Sequence, residues 1–188
     1  MLIVGISGKA GTGKTTMARE LLAIFADCRA MAFADALKNE VSRVYNIDRW
    51  ALDSDKDRLH IDPLLPRSPM TLREILQWHG QARRDEDPGH WVRALERDLM
   101  DYATDSLVII HDVRYPDEAE LVMDYRGLLV RLEPYPGCPK APDHVSESAL
   151  DGWPAWDLRL RPPYGWLVQA AGQIVAPEIV RRICGGRG

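Results

Sequence analysis

A glycine-rich segment near the N-terminus has the residue types and spacing that most directly indicate chemistry. Residues 8–15 fit the pattern G-x-x-x-x-G-K-[ST]. Glycines let successive backbone N–H groups point inward, and the N-terminus of a following helix adds partial positive charge, so such a loop binds phosphate. Lys14 is expected to reach the β- and γ-phosphates of a nucleoside triphosphate, and the Thr15 hydroxyl to bind Mg²⁺. The predicted nucleotide contacts are Gly8, Ala10, Gly11, Thr12, Gly13, Lys14, Thr15 and Thr16.

Polar side chains also lie at the ends of two later apolar runs that are predicted to be strands. Asp112 lies near the end of the β-branched run 106–113, where P-loop enzymes place a ligand of a Mg²⁺-bound water. Arg114 follows two residues later, and Arg131 lies near the end of the next predicted strand. Such cations stabilise the charge that spreads over a transferred phosphoryl group. The alternative interpretation is a turn-capping aspartate and two solvated arginines.

A second group of candidate residues follows the second predicted strand. Asp35 and Lys38 lie one helical turn apart, so their side chains would point together towards a ligand. The alternative is an ordinary helix N-cap and a surface lysine.

A later helix is predicted to begin at the capping-box sequence 71–74. Its polar stripe consists of Arg73, Gln77, Gly80 and Arg84. Gly80 would let a ligand approach the backbone, whereas a merely solvated face is the alternative for the stripe as a whole. Trp78 and Trp91 could stack a base or pack in the core.

The elements that must position these residues alternate between strands and helices. Predicted strands are 2–6, 29–34, 106–113, 128–132 and 157–160, and predicted helices are 15–26, 35–45, 71 onward, 91–102, 117–125, 146–150 and 177–183. This alternation predicts one α/β domain over 1–188, with a parallel sheet and with ligands at the carboxyl ends of the strands. The stretch 46–103 is longer than a crossover requires, so it is expected to hold a second substrate. Residues 133–146 contain four prolines and are expected to form a loop or lid.

Composition limits the functional class. The chain has 188 residues, of which 46% are hydrophobic, as is typical of a globular protein. A net charge of −4 without a long basic run does not indicate a nucleic-acid partner. Three widely spaced cysteines favour a reducing compartment over a disulfide framework or a zinc site. The short apolar N-terminus runs directly into the loop, so we expect neither a signal peptide nor a membrane partner, and a cytoplasmic location.

Five sequence blocks occur in an order that resembles a known family. They are the loop 8–15, Phe33-Ala-Asp-Ala-Leu-Lys38, Arg73-Glu-Ile-Leu-Gln77 with Gly80, Arg84 and Trp91, Asp112-Val-Arg-Tyr-Pro-Asp-Glu-Ala119, and His144-Val-Ser-Glu147. The series resembles the deoxynucleoside monophosphate kinases of bacteriophages and their bacterial relatives, over about residues 1–150. The last block has no role that we can assign from the sequence.

The resemblance implies a P-loop NTPase three-layer fold of the nucleoside monophosphate kinase type, with a helical insertion at 46–103 that binds the monophosphate, and a short lid. It also implies transfer of the ATP γ-phosphate to a deoxynucleoside monophosphate, with Mg²⁺ as cofactor. By that likeness Lys14, Asp35 and Arg114 are catalytic, and Thr15 and Asp112 serve the metal. The implied acceptor contacts are Asp35, Lys38, Arg73, Gln77, Trp78, Gly80, Arg84 and Trp91. Small molecules are then the only expected partners besides a second copy in a homodimer, and a phage-encoded enzyme would work in the host cytoplasm.

Two other functions fit the same phosphate loop. A hydroxyl-directed kinase, such as a dephospho-coenzyme A kinase, would need a carboxylate base, for which Asp35 is the candidate. A phosphate acceptor needs no base, because its second pKa of about 6 leaves the attacking oxygen ionised at neutral pH. A regulatory P-loop NTPase would hydrolyse the nucleotide without any acceptor, and this is the less favoured alternative.

Overall fold

The structure is a computed structural model that describes residues 1–102, 106–163 and 165–185. The chain forms two compact units, one made of Met1–Ala32 with Met100–Gly188 and the other of Phe33–Leu99. The predicted insertion 46–103 overlaps the second unit, which begins earlier in the chain. Residue 103, its last, lies outside the described residues.

The strands are β1 (Leu2–Gly8), β2 (Cys28–Met31), β3 (Leu59–His60), β4 (Met70–Thr71), β5 (Leu107–Val113), β6 (Leu128–Leu132) and β7 (Leu158–Leu160). The helices are α1 (Lys14–Ile24), α2 (Phe33–Val44), α3 (Ala51–Ser54), α4 (Leu72–Glu86), α5 (His90–Leu99), α6 (Pro116–Asp124), α7 (Leu167–Ala170) and α8 (Ala176–Gly185). A 3₁₀ turn covers Val145–Glu147, and a π-helical turn, Ala171–Val175, joins α7 to α8.

The first unit is built around a five-stranded parallel sheet in the order β2-β5-β1-β6-β7. The central strands read as continuous apolar runs because both of their faces are covered. Helix α1 and the α7–α8 segment pack on one face, where Met17, Leu21 and Ile179 are fully buried. Helix α6 packs against β1 and β6 on the other face. The predicted fold class, a P-loop α/β fold of three layers, is confirmed.

The register of the sheet explains which polar residues meet at its carboxyl edge. Ser7, at the end of β1, is paired with Val113 of β5 on one side and with Arg131 of β6 on the other. The phosphate loop, which starts at the end of β1, therefore lies between the ends of the strands that carry Asp112 and Arg131.

The second unit is mainly helical, and α2 packs against both α4 and α5. An apolar cluster joins α2, α3 and α4, and β3 pairs with β4 in a short antiparallel ladder. Helix α4 begins as the sequence predicts. The Thr71 side chain accepts a hydrogen bond from the Glu74 N–H, and the Glu74 carboxylate accepts from the Thr71 N–H, which completes the capping box.

The second predicted strand is wrong at its C-terminal end. It stops at Met31 rather than at residue 34, because α2 already begins at Phe33. The alanines at 30, 32 and 34 suit a strand as well as a helix, and Phe33 is buried as the first residue of α2.

Within the described residues, no helix combines the length and apolar character that a bilayer crossing needs.

Candidate active site

The phosphate loop connects β1 to α1 through backbone conformations that favour glycine. Gly13, the residue before α1, has φ of +91°, and its carbonyl accepts the hydrogen bond from Met17 N–H that opens the helix. A side chain at this position would be strained by the positive φ and would also displace Leu167 Cδ1, so the position favours glycine. The loop amides therefore lead directly into the N-terminus of α1, as a phosphate site requires.

Lys14 folds back over this loop. Its Nζ donates to the carbonyl oxygens of Gly8, at 2.7 Å, and of Lys9, at 2.9 Å. Burial lowers the pKa of Lys14 to about 8, and the nearby Arg114 lowers it as well, against the opposing attraction of Glu147 and Asp112. A lysine held among other cations indicates a site built to receive negative charge.

Both arginines that the sequence singled out lie in this unit, and each is paired with a carboxylate. Arg114 donates to Glu147 and, at 3.4 Å, to Ser146 Oγ. Arg131, only 7% exposed in its side chain, donates to Ser7 Oγ at 3.0 Å and to Asp151 Oδ1 at 2.8 Å. Neither arginine is a merely solvated side chain.

The carboxylates come from a segment to which the sequence assigned no role. Glu147 Oε2 accepts from the backbone N–H of Ala10, inside the phosphate loop, at 2.6 Å. Asp151 Oδ2 accepts from Lys9 Nζ at 2.9 Å, in addition to its bond with Arg131. The block 144–147, one of the five blocks that carry the family resemblance, was the sequence signal available for Glu147. Nothing in the sequence pointed to Asp151.

His144 shapes the turn that presents Glu147. Its Nδ1 accepts from the Ser146 N–H at 3.2 Å and lies 2.8 Å from Ser146 Oγ, so it caps the 3₁₀ turn. Burial lowers the pKa of His144, and the positive charge of Arg114 lowers it further. A neutral imidazole is the form that can accept these hydrogen bonds.

Two oxygen donors in the first unit fit the predicted Mg²⁺ ligands. Thr15 is exposed at the start of α1, and Asp112 is half-buried near the end of β5, close enough to raise the pKa of Lys14. Hydroxyl and carboxylate oxygens are ligands that Mg²⁺ prefers. These residues could hold the ion, with the remaining ligands supplied by phosphate and water.

In the second unit, the structure joins Asp35 and Lys38 through two residues that the sequence analysis missed. Lys38 Nζ donates to Asp53 Oδ1 at 2.7 Å, and Arg49 donates to Asp35 Oδ1 at 2.7 Å. Arg49 also donates to Asp53, so the four side chains form one chain of ion pairs. Arg49 lies just before the short helix α3, and Asp53 lies within it. The sequence there has no helical or strand periodicity that would have indicated their positions.

The polar stripe of α4 is less uniform than predicted. Arg73 is exposed beside Asp57, at 3.3 Å, whereas Gly80 is buried and a Cβ there would lie 3.1 Å from Leu37 Cδ2. Because α4 is one continuous helix, Arg73 and Arg84 lie about 16 Å apart along it. If both contact one nucleotide, they contact different parts of it.

The two predicted base-stacking residues, both tryptophans, pack within the unit. Trp91 is 3% exposed and its Nε1 donates to the Gly80 carbonyl at 3.1 Å. Trp78 packs against the apolar cluster and makes an edge contact with His79, at 6.2 Å between ring centroids. Their role in packing is therefore clear, and their role in binding, like that of Gln77 and Gly80, stays a prediction.

Comparison with known proteins gives a relative in sequence and a neighbour in structure. No protein-family model matches the chain. A protein of Acanthamoeba polyphaga mimivirus named "Putative deoxynucleotide monophosphate kinase" is 28% identical over 172 residues, which cover 85% of this chain and 88% of the relative. The predicted resemblance is confirmed. Among solved structures, shikimate kinase from Acinetobacter baumannii in complex with shikimate matches with a TM-score of 0.46 and 11% identity, over 100% of this chain and 95% of its own.

Proposed function

We propose that this protein transfers the γ-phosphate of ATP to a deoxynucleoside monophosphate and releases the diphosphate and ADP. The observation that carries the proposal is the phosphate loop itself, with Lys14 folded over it and Arg114 and Arg131 beside it. The similarity to a relative named as a deoxynucleotide monophosphate kinase supports the choice of acceptor.

The catalytic problem is to bring two polyanions together, since a monophosphate acceptor is already ionised. In this proposal the loop amides and Lys14 bind the β- and γ-phosphates, and Arg114 stabilises charge on the transferred group. Thr15 and Asp112 would hold Mg²⁺, which would neutralise phosphate charge when it is bound. Catalysis then depends on positioning and charge neutralisation, and no general base is needed because the acceptor oxygen is already ionised.

We assign the acceptor to the second unit. Lys38 and Arg49 place two cations within one ion-pair chain, and Arg73 and Arg84 add two more along α4. A monophosphate binds by charge-assisted hydrogen bonds of the kind that these side chains make. Asp35 and Asp53 hold the first two cations in place, so Asp35 acts here as a positioning carboxylate rather than as a base.

The test is a panel of nucleoside and deoxynucleoside monophosphates with ATP and Mg²⁺, in which ADP and the phosphorylated product are both measured. We expect product with at least one deoxynucleoside monophosphate, and loss of turnover in Lys14→Ala. ADP formation at the same rate without acceptor would instead indicate a regulatory NTPase. A phosphorylated hydroxyl, with a strongly reduced rate in Asp35→Asn that has lost the acidic limb of the pH profile, would indicate the hydroxyl-directed kinase.

A further inference from the structure

Glu147 occupies an unusual position for a carboxylate, since it lies among donors that suit a phosphate. One oxygen accepts from the Ala10 N–H of the phosphate loop at 2.6 Å, and the other accepts from the Arg114 guanidinium. The side chain is only 9% exposed, and the charge of Lys14 attracts it. A loop amide, a guanidinium and a lysine are the groups with which P-loop proteins hold phosphate oxygens.

This contact cannot coexist with a phosphate oxygen on the same amide. A single N–H makes one strong hydrogen bond, and a second anion beside Glu147 would repel it in a poorly solvated site. We propose that Glu147 is an internal anion that binds the phosphate loop in the absence of nucleotide and is displaced by the nucleotide phosphates. The proposal relies on the proposed function only for the identity of the ligand, a nucleoside triphosphate.

The backbone on both sides of the Glu147–Arg114 contact is held in place, so the exchange of Glu147 for phosphate involves side chains only. The His144 cap fixes the 3₁₀ turn, and the Arg114 backbone N–H is held by Glu118 at 2.7 Å. Displacement therefore requires only that the Glu147 side chain leave the Ala10 N–H and the Arg114 guanidinium, while both backbone segments stay in place. Arg114 carries five N–H donors, so release from Glu147 makes it available to the incoming phosphates.

The competing explanation is that Glu147 only positions Arg114 and stays in place when nucleotide binds. The two explanations predict opposite effects of a neutral side chain. Removing a competitor tightens the binding of phosphates, whereas removing a positioning carboxylate weakens it.

The experiment compares Glu147→Gln with the wild-type protein by calorimetric titration with inorganic tripolyphosphate and with ATP plus Mg²⁺. We expect the dissociation constants of both ligands to fall by about tenfold, because the Ala10 N–H and the Arg114 guanidinium no longer bind a competing carboxylate and can donate to phosphate. Titration at pH 6.5 lies below the pKa of about 8 of Lys14, so this lysine is protonated in the wild-type protein. Glu133→Gln is the matched control, because it makes the same substitution at a carboxylate of this unit that pairs with Arg159 rather than with a residue of the loop, and its dissociation constants should change less than threefold.

Equal or weaker binding of both ligands by folded Glu147→Gln would overturn the proposal. A crystal structure of the wild-type protein with tripolyphosphate gives a readout that does not depend on any variant folding. The Glu147 carboxylate should then lie beyond hydrogen-bond distance of Ala10 N, and an intact contact would again overturn the proposal. Neither measurement requires phosphoryl transfer, so a failure of the proposed function in the substrate panel remains distinguishable.

Discussion

Glu40 offers the most quantitative test of how the second unit is held together. Its carboxylate accepts from His79 Nε2 at 3.0 Å, from Arg83 Nε at 2.6 Å and from His90 Nε2 at 3.3 Å. Because the carboxylate can only accept, His79 donates to it from Nε2, and Nδ1 of a neutral imidazole then accepts from the Tyr45 hydroxyl at 3.0 Å. Glu40→Gln therefore perturbs the point where α2, α4 and α5 are joined.

The size of the effect follows from the pKa of this carboxyl. Burial raises the pKa of Glu40, but hydrogen bonds from His79, Arg83 and His90 outweigh burial and lower it from 4.5 to about 2. A difference of about 2.5 pKa units corresponds to roughly 3 kcal/mol of stabilisation by the ionised form. Since the folded pKa is the lower one, this stabilisation is fully present above pH 4.5 and is lost as the pH falls towards 2.

Urea unfolding at pH 7, 5, 4 and 3, followed by tryptophan fluorescence and by circular dichroism, measures this directly. We expect Glu40→Gln to lower the free energy of unfolding by about 2–3 kcal/mol at pH 7 and to make it less dependent on pH between 5 and 3. Glu86→Gln is the matched control, because Glu86 accepts from the same Arg83 but is 68% exposed, and it should cost less than about 1 kcal/mol. Parallel pH dependence in wild type and Glu40→Gln, or equal losses in the two variants, would refute the reasoning.

Two further predictions concern the nucleotide sites. Burial and Arg114 lower the pKa of Lys14 to about 8, so the affinity for ATP should fall as the pH rises through 8 and this lysine loses its charge. Calorimetric titrations from pH 6.5 to 9 measure this dependence. Lys14→Met should bind ATP much more weakly, and its affinity should not change with pH in this range. Arg84→Ala should raise the KM for the monophosphate several-fold with little change in kcat, since a ground-state contact is lost, and unchanged acceptor kinetics would exclude Arg84 from the site.

Local patterns were enough to predict most of the elements and the phosphate loop. The G-x-x-x-x-G-K-[ST] pattern and the capping box at Thr71 each describe interactions within a few residues, and the strand–loop–helix and the capped helix both occur in the structure as predicted. The end of β2 was not predictable, because alternating alanines fit a strand as well as the first turn of α2.

The carboxylates of the candidate sites were harder to find because their partners are distant in sequence. Glu147 lies 33 residues after Arg114, and Asp151 lies 142 residues after Lys9. Both follow a proline-rich loop that has neither helical nor strand periodicity. Only the parallel sheet brings the ends of β1, β5 and β6 to one edge, and no local pattern encodes which acidic side chain will meet them there.

Electrostatics nevertheless requires such carboxylates. Burial lowers the pKa of Lys14 most, and repulsion by Arg114 and Arg131 lowers it further. In the second unit Lys38 and Arg49 are held close together because both pair with Asp53. A fold that gathers cations for an anionic ligand must balance their charge before the ligand arrives, and Glu147, Asp151, Asp35 and Asp53 supply that balance. The carboxylate that sits on a loop amide is the one that a phosphate must replace, whereas the carboxylates that contact only side chains can remain in place when the ligand binds.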